Sequence, residues 1–156
     1  MKKCMVCVLA VLLVFALSVP AFAAEITDTT PGNTVVTYNS EASYIVTIPE
    51  DFAITSSPVN KEVKAEGTIE SDKRLTVKVA STQYDSGWKL KSTLDDVLAY
   101  SIKVENAELA NNDTVLSASA QELSAAKTSA ITFQVTGTPV YAGTYIDTLT
   151  FTVAVA

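Results

Sequence analysis

The fold is decided by the stretch Gly143-Thr-Tyr-Ile-Asp-Thr-Leu-Thr-Phe-Thr-Val-Ala-Val-Ala156. From position 149 onward, apolar residues occupy every second place, at Leu149, Phe151, Val153 and Val155. Because side chains alternate between the two faces of a β-strand, this pattern predicts a half-buried strand and excludes an amphipathic helix. The β-branched Thr and Val residues favour the same backbone. We expect Leu149, Phe151 and Val153 to belong to the core of a β-protein.

The same alternation recurs along the chain and predicts short strands over residues 34–38, 43–48, 63–70, 75–79, 88–91, 98–104, 114–118 and 131–135. The turn Ser71-Asp72-Lys73 predicts that the strands on either side of it form a hairpin. Only residues 121–127 have helix-forming composition, and they are too few to be stable without packing. About eight short strands separated by turn signals predict an all-β fold, an immunoglobulin-like antiparallel β-sandwich.

The N-terminal residues predict export. Lys2 and Lys3 precede an uncharged apolar run, and Ala21-Phe22-Ala23 supplies a small-residue cleavage signature. We therefore expect residues 1–23 to be a cleaved secretory signal, 24–33 a flexible arm, and 34–156 a single sandwich domain. The expected location is extracellular and associated with the cell surface, with membrane contact only during export.

The composition excludes most catalytic chemistry. The sequence has no histidine, and both cysteines, Cys4 and Cys7, lie in the predicted signal. This removes Ser-His-Asp and Cys-His catalysis, disulfides and the usual zinc sites. The adjacent carboxylates Glu50-Asp51 and Asp95-Asp96 are typical of solvated turns. We expect no enzyme activity, no cofactor and no metal site.

The charge balance limits the partners. Without Lys2 and Lys3, nine basic residues remain against 17 acidic ones, a net charge of −8. This charge argues against nucleic acid and anionic lipid as partners. It is consistent with a soluble exported protein.

The sole tryptophan, Trp88, allows two interpretations. It shares strand spacing with Leu90, which predicts core packing; with Tyr84 it could instead stack on a sugar ring. Tyr145, in Tyr141-Ala-Gly-Thr-Tyr145, resembles the corner tyrosine of immunoglobulin-like sandwiches, whose hydroxyl bonds to a nearby backbone group. An architectural role is favoured for both Trp88 and Tyr145.

Two motifs carry a family resemblance. Trp88-Lys89-Leu90 is a Trp-x-Leu triplet, and the closing strand resembles that of WxL-domain surface proteins of Gram-positive bacteria, with Phe151 in place of Trp and Val153 in place of Leu. The stretch Tyr44-Ile-Val-Thr-Ile-Pro49 resembles the opening strand of such domains. Similar endings also occur in spore-coat-U-like and pilin-like sandwiches. The resemblance implies an exported β-sandwich that associates non-covalently with peptidoglycan, often within multi-protein surface complexes.

Three functional hypotheses follow. The first is a non-enzymatic surface protein that binds peptidoglycan or another surface protein. The second is a structural subunit, pilin-like or coat-like, that self-associates by strand pairing through its C-terminal strand. The third is a carbohydrate-binding module that contacts its ligand through Tyr84 and Trp88.

Overall fold

The computed structural model describes residues 35–156, and its strands form two antiparallel sheets. Predictions for residues 1–34, including the signal and the arm, lie outside the described residues. The larger sheet has seven strands in the spatial order β1-β2-β8-β5-β4-β9, with β6 pairing to β5. Their bounds are β1 Ser43–Thr47, β2 Val59–Thr68, β4 Trp88–Ser92, β5 Val97–Val104, β6 Ala107–Glu108, β8 Lys127–Val135 and β9 Tyr145–Ile146.

The smaller sheet has three strands in the order β10-β3-β7. Their bounds are β3 Arg74–Ser81, β7 Asp113–Ser119 and β10 Leu149–Val155, and the helix α1 spans Ala120–Ser124. The core lies between the two sheets and includes Val63 and Phe133 from the larger sheet and Val77 from the smaller. The predicted antiparallel β-sandwich is confirmed.

Strand alternation decides which residues face the core. In β3, Leu75, Val77 and Val79 have no exposed surface, whereas Arg74 and Lys78 are exposed. The pattern agrees with apolar residues facing inward and polar residues outward, as expected for a strand with one buried face.

The predicted hairpin across Ser71-Asp72-Lys73 is wrong. Strand β2 pairs with β1 and β8 in the larger sheet, whereas β3 pairs with β10 and β7 in the smaller sheet. The turn, in which Lys73 N–H donates to the Glu70 carbonyl at 3.1 Å, therefore crosses between sheets. Alternation does not distinguish the two arrangements, because both strands bury one apolar face either way.

The stretch with helix-forming composition, residues 121–127, is helical only in part, because α1 ends at Ser124 and Lys127 already belongs to β8. Helix α1 begins with a capping box: Glu122 N–H donates to Ser119 Oγ at 3.3 Å, and Ser119 N–H donates to Glu122 Oε2 at 2.8 Å. These backbone and side-chain bonds, together with Lys127, lower the pKa of Glu122 to about 2. Leu123 is fully buried and attaches the helix to the core.

The loop between β1 and β2 contributes Phe52 and Ile54 to the core. Both are partly buried against the core, and the Phe52 ring lies edge-on to Phe133 with ring centroids 4.8 Å apart. The loop is held to β8, since Val135 N–H donates to the Thr55 carbonyl at 2.9 Å.

Strand β1 depends on one glycine. Gly67 has φ +140°, and a Cβ there would lie 2.3 Å from the Ser43 carbonyl oxygen and 2.5 Å from Tyr44 Cα. Only glycine combines this backbone conformation with so close an approach. Gly67 thus lets β1 pair with β2.

The strand predicted over residues 34–38 is wrong for its described part. Residues 35–38 belong to no strand, and the exposed fractions of Val35, Val36 and Tyr38 are 88%, 90% and 88%. The residue types favour a strand, but a strand needs a neighbour to satisfy its backbone groups. None of the described strands pairs with this segment.

Candidate binding groove beside strand β10

Strand β10 has one paired edge and one unpaired edge in the described part of the chain. It pairs only with β3, from Leu149 opposite Ser81 to Val155 opposite Leu75. One residue further, Arg74 and Ala156 exchange two backbone hydrogen bonds, of 2.9 and 3.1 Å.

Hydrogen-bonded and non-hydrogen-bonded residue pairs alternate along an antiparallel ladder. The hydrogen-bonded pair Arg74–Ala156 therefore fixes which residues of β10 bond to β3. Residues 150, 152 and 154 bond to β3. The N–H and C=O groups of residues 149, 151, 153 and 155 point away from β3, toward the unpaired edge. The residues with inward-facing apolar side chains are therefore those with free backbone groups.

The inward face of β10 is only half covered. Leu149, Phe151 and Val155 are partly buried, and 36% of Val153 is exposed. The expectation that Leu149, Phe151 and Val153 are core residues therefore holds only in part. On β3, which has strands on both sides, the equivalent residues are fully buried. The missing cover lies beyond β10, where the smaller sheet has no fourth strand among residues 35–156.

A groove of about 870 Å³ adjoins this half-covered face. Three parts of the chain line it: the β1–β2 loop, the inward face of the larger sheet, and the chain from residue 139 into β10. Its large apolar side chains are Ile48, Phe52, Ile54, Leu90, Leu98, Phe133, Val135, Ile146, Leu149 and Phe151. Among the described residues that line it, the charged ones are Glu50, Asp51 and Asp147, and none is a lysine or arginine. The lining suits an apolar, uncharged occupant.

Asp147 ties the two sheets together at the groove. Its carboxylate accepts hydrogen bonds from Ser81 Oγ of the smaller sheet and from the Tyr100 hydroxyl of the larger sheet, both at 2.6 Å. Burial, reinforced by the hydrogen bond to Asp147, raises the pKa of Tyr100 above its usual value. The polar link fixes the chain where it passes from β9 to β10.

Tyr145 anchors the preceding segment. Its hydroxyl donates to the Asp96 carboxylate and lies 2.8 Å from the Tyr141 carbonyl oxygen. The hydrogen bond lowers the pKa of Asp96 and raises that of Tyr145. Val140 N–H also donates to Asp96, at 3.3 Å. The predicted contact of the Tyr145 hydroxyl with nearby backbone is confirmed, and it holds a part of the chain that lines the groove.

The structure places Trp88 in the core, with 2% of its surface exposed. Its indole N–H donates to the Leu109 carbonyl at 2.7 Å, and the Tyr84 ring lies edge-on to it at 5.1 Å. In this position neither face of the indole is open to a sugar ring. The core interpretation of Trp88 accounts for every contact that the ring makes.

The four WxL-like positions lie in two sheets. Trp88 and Leu90 are in β4, and Phe151 and Val153 are in β10. Leu90 and Phe151 both line the groove, whereas Trp88 and Val153 do not. Each motif thus contributes one residue to the lining of the groove.

Within residues 35–156, no three His, Cys, Asp or Glu side chains group to hold a metal ion. In the same part of the chain, no helix has the length and apolarity to cross a bilayer. The groove is the feature that stands out.

Comparisons with known proteins agree with the fold. No protein-family model and no curated protein matches this sequence. Among solved structures, the chain is similar to a chain from the CsuC-CsuE chaperone–tip adhesion subunit pre-assembly complex, from the archaic chaperone-usher Csu pili of Acinetobacter baumannii. The TM-score is 0.51 and the sequence identity 17%.

This match covers 72% of the present chain and 39% of the other. At this identity it shows a shared β fold and nothing about function. The resemblance to WxL-domain proteins stays a prediction, since no comparison supports it.

Proposed function

We propose that this protein is a non-enzymatic structural subunit of an extracellular or cell-surface assembly, and that its groove accepts a β-strand from another polypeptide. The observation that carries the proposal is the state of β10: an unpaired backbone edge, a half-covered apolar face and a groove beside both. A strand added at this position would extend the smaller sheet and cover Phe151 and Val153. Strand addition of this kind uses backbone hydrogen bonds for affinity and side-chain pockets for specificity.

Backbone bonding and apolar burial would both stabilise such a complex. Each of the backbone hydrogen bonds to a new strand contributes about 1 kcal/mol net, and each apolar side chain fully buried about 1.5–3 kcal/mol. Association costs at least about 4 kcal/mol in lost freedom, and ordering the added strand costs a further amount of about 1–2 kcal/mol per residue. Stable binding of a seven-residue strand therefore requires that its apolar side chains pack closely in the groove.

The expected location and the structural match both support the proposal. A secretory signal over residues 1–23 would export the chain. The solved chain with a similar fold comes from a pilus pre-assembly complex of a chaperone and a subunit. A partner protein is therefore the favoured ligand. Peptidoglycan suits this site less well, because apolar walls and three carboxylates offer few partners to a polar glycan.

The test compares two charge substitutions on neighbouring positions of β10. Phe151→Asp places a carboxylate in the groove, and Thr152→Asp places one on the exposed opposite face. We expect wild type and Thr152→Asp to form assemblies on the surface of the exporting cells, and Phe151→Asp to remain monomeric. Size-exclusion chromatography with light scattering measures the mass of each protein after its release from the cell surface.

Circular dichroism checks that the variants fold. Should Phe151→Asp unfold, Val153→Asp replaces it, because that side chain is already 36% exposed. Wild-type protein that stays monomeric at every concentration and carries no partner in surface extracts would contradict the proposal.

A further inference from the structure

One segment of the chain has the apolar side chains and strand periodicity that the groove would accept. In Thr34-Val-Val-Thr-Tyr38, Val36 and Tyr38 fall on one face of an extended strand, and Val35 and Thr37 on the other. In the described residues, Val35, Val36 and Tyr38 are at least 88% exposed and belong to no strand. Adjacent exposed apolar residues that pair with no described strand are typical of an interaction segment.

The charges of the segment and the groove are compatible. Residues 29–40 carry no charged side chain. The groove is lined by Glu50, Asp51 and Asp147 with no lysine or arginine. An acidic strand would be repelled there, and a neutral one is not.

The segment is also long enough. Strand β10 has seven residues, and the uncharged residues 32–40 that follow Pro31 can supply a strand of that length. Pro31 lies before this segment, so the proline that would interrupt a ladder falls outside it.

We propose that residues 34–40 of a second copy of this chain are the strand that occupies the groove beside β10, with Val36 and Tyr38 facing Phe151 and the larger sheet. The inference rests on the proposed function and names its partner. Each copy then has one donor segment and one acceptor groove. A contact between two different surfaces repeats head to tail, so the product is an open chain of subunits unless the rotation closes a ring.

Matched variants of the full-length exported protein test the donor. Val36→Asp/Tyr38→Asp puts two carboxylates on the face that enters the groove, and Val35→Asp/Thr37→Asp puts two on the opposite face. All four side chains are exposed in the described structure, so neither variant should alter folding of the sandwich. We expect the first variant to need about 100-fold more protein to assemble, because a buried unpaired carboxylate is strongly disfavoured. The second should assemble within about threefold of wild type.

A mixing experiment tests the pairing directly. Val36→Asp/Tyr38→Asp keeps an intact groove, and Phe151→Asp keeps an intact donor segment. Each alone should be monomeric. Their mixture should give a species of twice the monomer mass and nothing larger, because the dimer has no further compatible donor and groove.

The outcomes separate this inference from the proposed function. If Phe151→Asp abolishes assembly and Val36→Asp/Tyr38→Asp assembles like wild type, the groove takes a strand from elsewhere and the inference is overturned. A monomeric wild type that loses stability in Val36→Asp/Tyr38→Asp places the segment in its own groove and also overturns it. If no variant changes assembly, the proposed function itself fails.

Discussion

Strands β3 and β10 are neighbours in one sheet and carry the same kind of sequence, yet their burial differs. Leu75, Val77 and Val79 of β3 are fully buried, whereas 36% of Val153 on β10 is exposed. The residue types and the alternation are alike. What differs is the number of neighbouring strands in the part of the chain that the structure describes, two for β3 and one for β10. The comparison teaches that the burial of a side chain in this sheet depends on the position of its strand. The apolar face of β3 is fully covered, whereas that of β10 is covered only in part.

The largest effect should come from truncating the same residue type on the two strands. Val77→Ala removes two methyl groups from a site with no exposed surface and should lower the free energy of unfolding by about 2–3 kcal/mol. Val153→Ala, opposite it in the ladder, should cost less than about 1 kcal/mol in the monomer. Urea unfolding of monomeric protein measures both. Equal costs would show that β10 is as well covered as β3.

A somewhat smaller effect should follow from breaking the link that holds β10 to both sheets. Asp147→Asn removes the charge that accepts the Ser81 and Tyr100 hydroxyls. We expect a loss of about 1–2 kcal/mol, since hydrogen bonds to a charged acceptor are stronger than neutral ones.

Asp51→Asn is the matched control, because it changes the charge of an exposed groove residue for which no hydrogen bond to the side chain is found in the described structure. It should leave stability within about 0.5 kcal/mol. An Asp147→Asn variant as stable as this control would show that the link does not hold the two sheets.

The smallest effect is expected on the melting temperature at acid pH. It compares a carboxylate near β3 with a carboxylate at the groove beside β10. The folded pKa of Glu122, near the β3 end of the sheet, is about 2, against 4.5 for the ordinary residue. A lowered pKa means that the carboxylate stabilises the fold above pH 4.5 and that this contribution is lost as the pH falls toward about 2.

We therefore expect Glu122→Gln to flatten the decline in melting temperature between pH 4.5 and about 2. Asp96, at the groove, also has a lowered pKa. Asp96→Asn should flatten the decline further and additively, because the two groups share no partner. An acid decline identical in wild type and Glu122→Gln would contradict the role of the capping box.

Alternation was enough to predict the sandwich and most of its strands, because inward residues such as Val77 and Phe133 repeat every second position. It was not enough to predict sheet order. The run from residue 63 to 79 has the pattern of a hairpin, yet its strands belong to different sheets, since a strand buries one face equally well in either.

The candidate site was less predictable still. Phe52 and Ile54 lie in a loop between two strands, and nothing in the sequence shows that they line a groove with Phe151. Residues 34–38 have strand-forming composition, and only the strand pairing shows that residues 35–38 pair with none of the described strands. Asp147 lies in the stretch 143–156, but Tyr100 and Ser81, whose hydroxyls donate hydrogen bonds to it, are distant in sequence.

The central claim is that β10 is an open edge that a second strand completes. Amide hydrogen exchange resolved by NMR tests it at residues 149, 151, 153 and 155, whose N–H groups point to that edge, against residues 75, 77 and 79 of β3. In the monomer, the β10 amides should exchange quickly and those of β3 slowly. In the assembly, both sets should be protected. β10 amides that are already as protected as those of β3 in the monomer, or that stay unprotected in the assembly, would contradict the account.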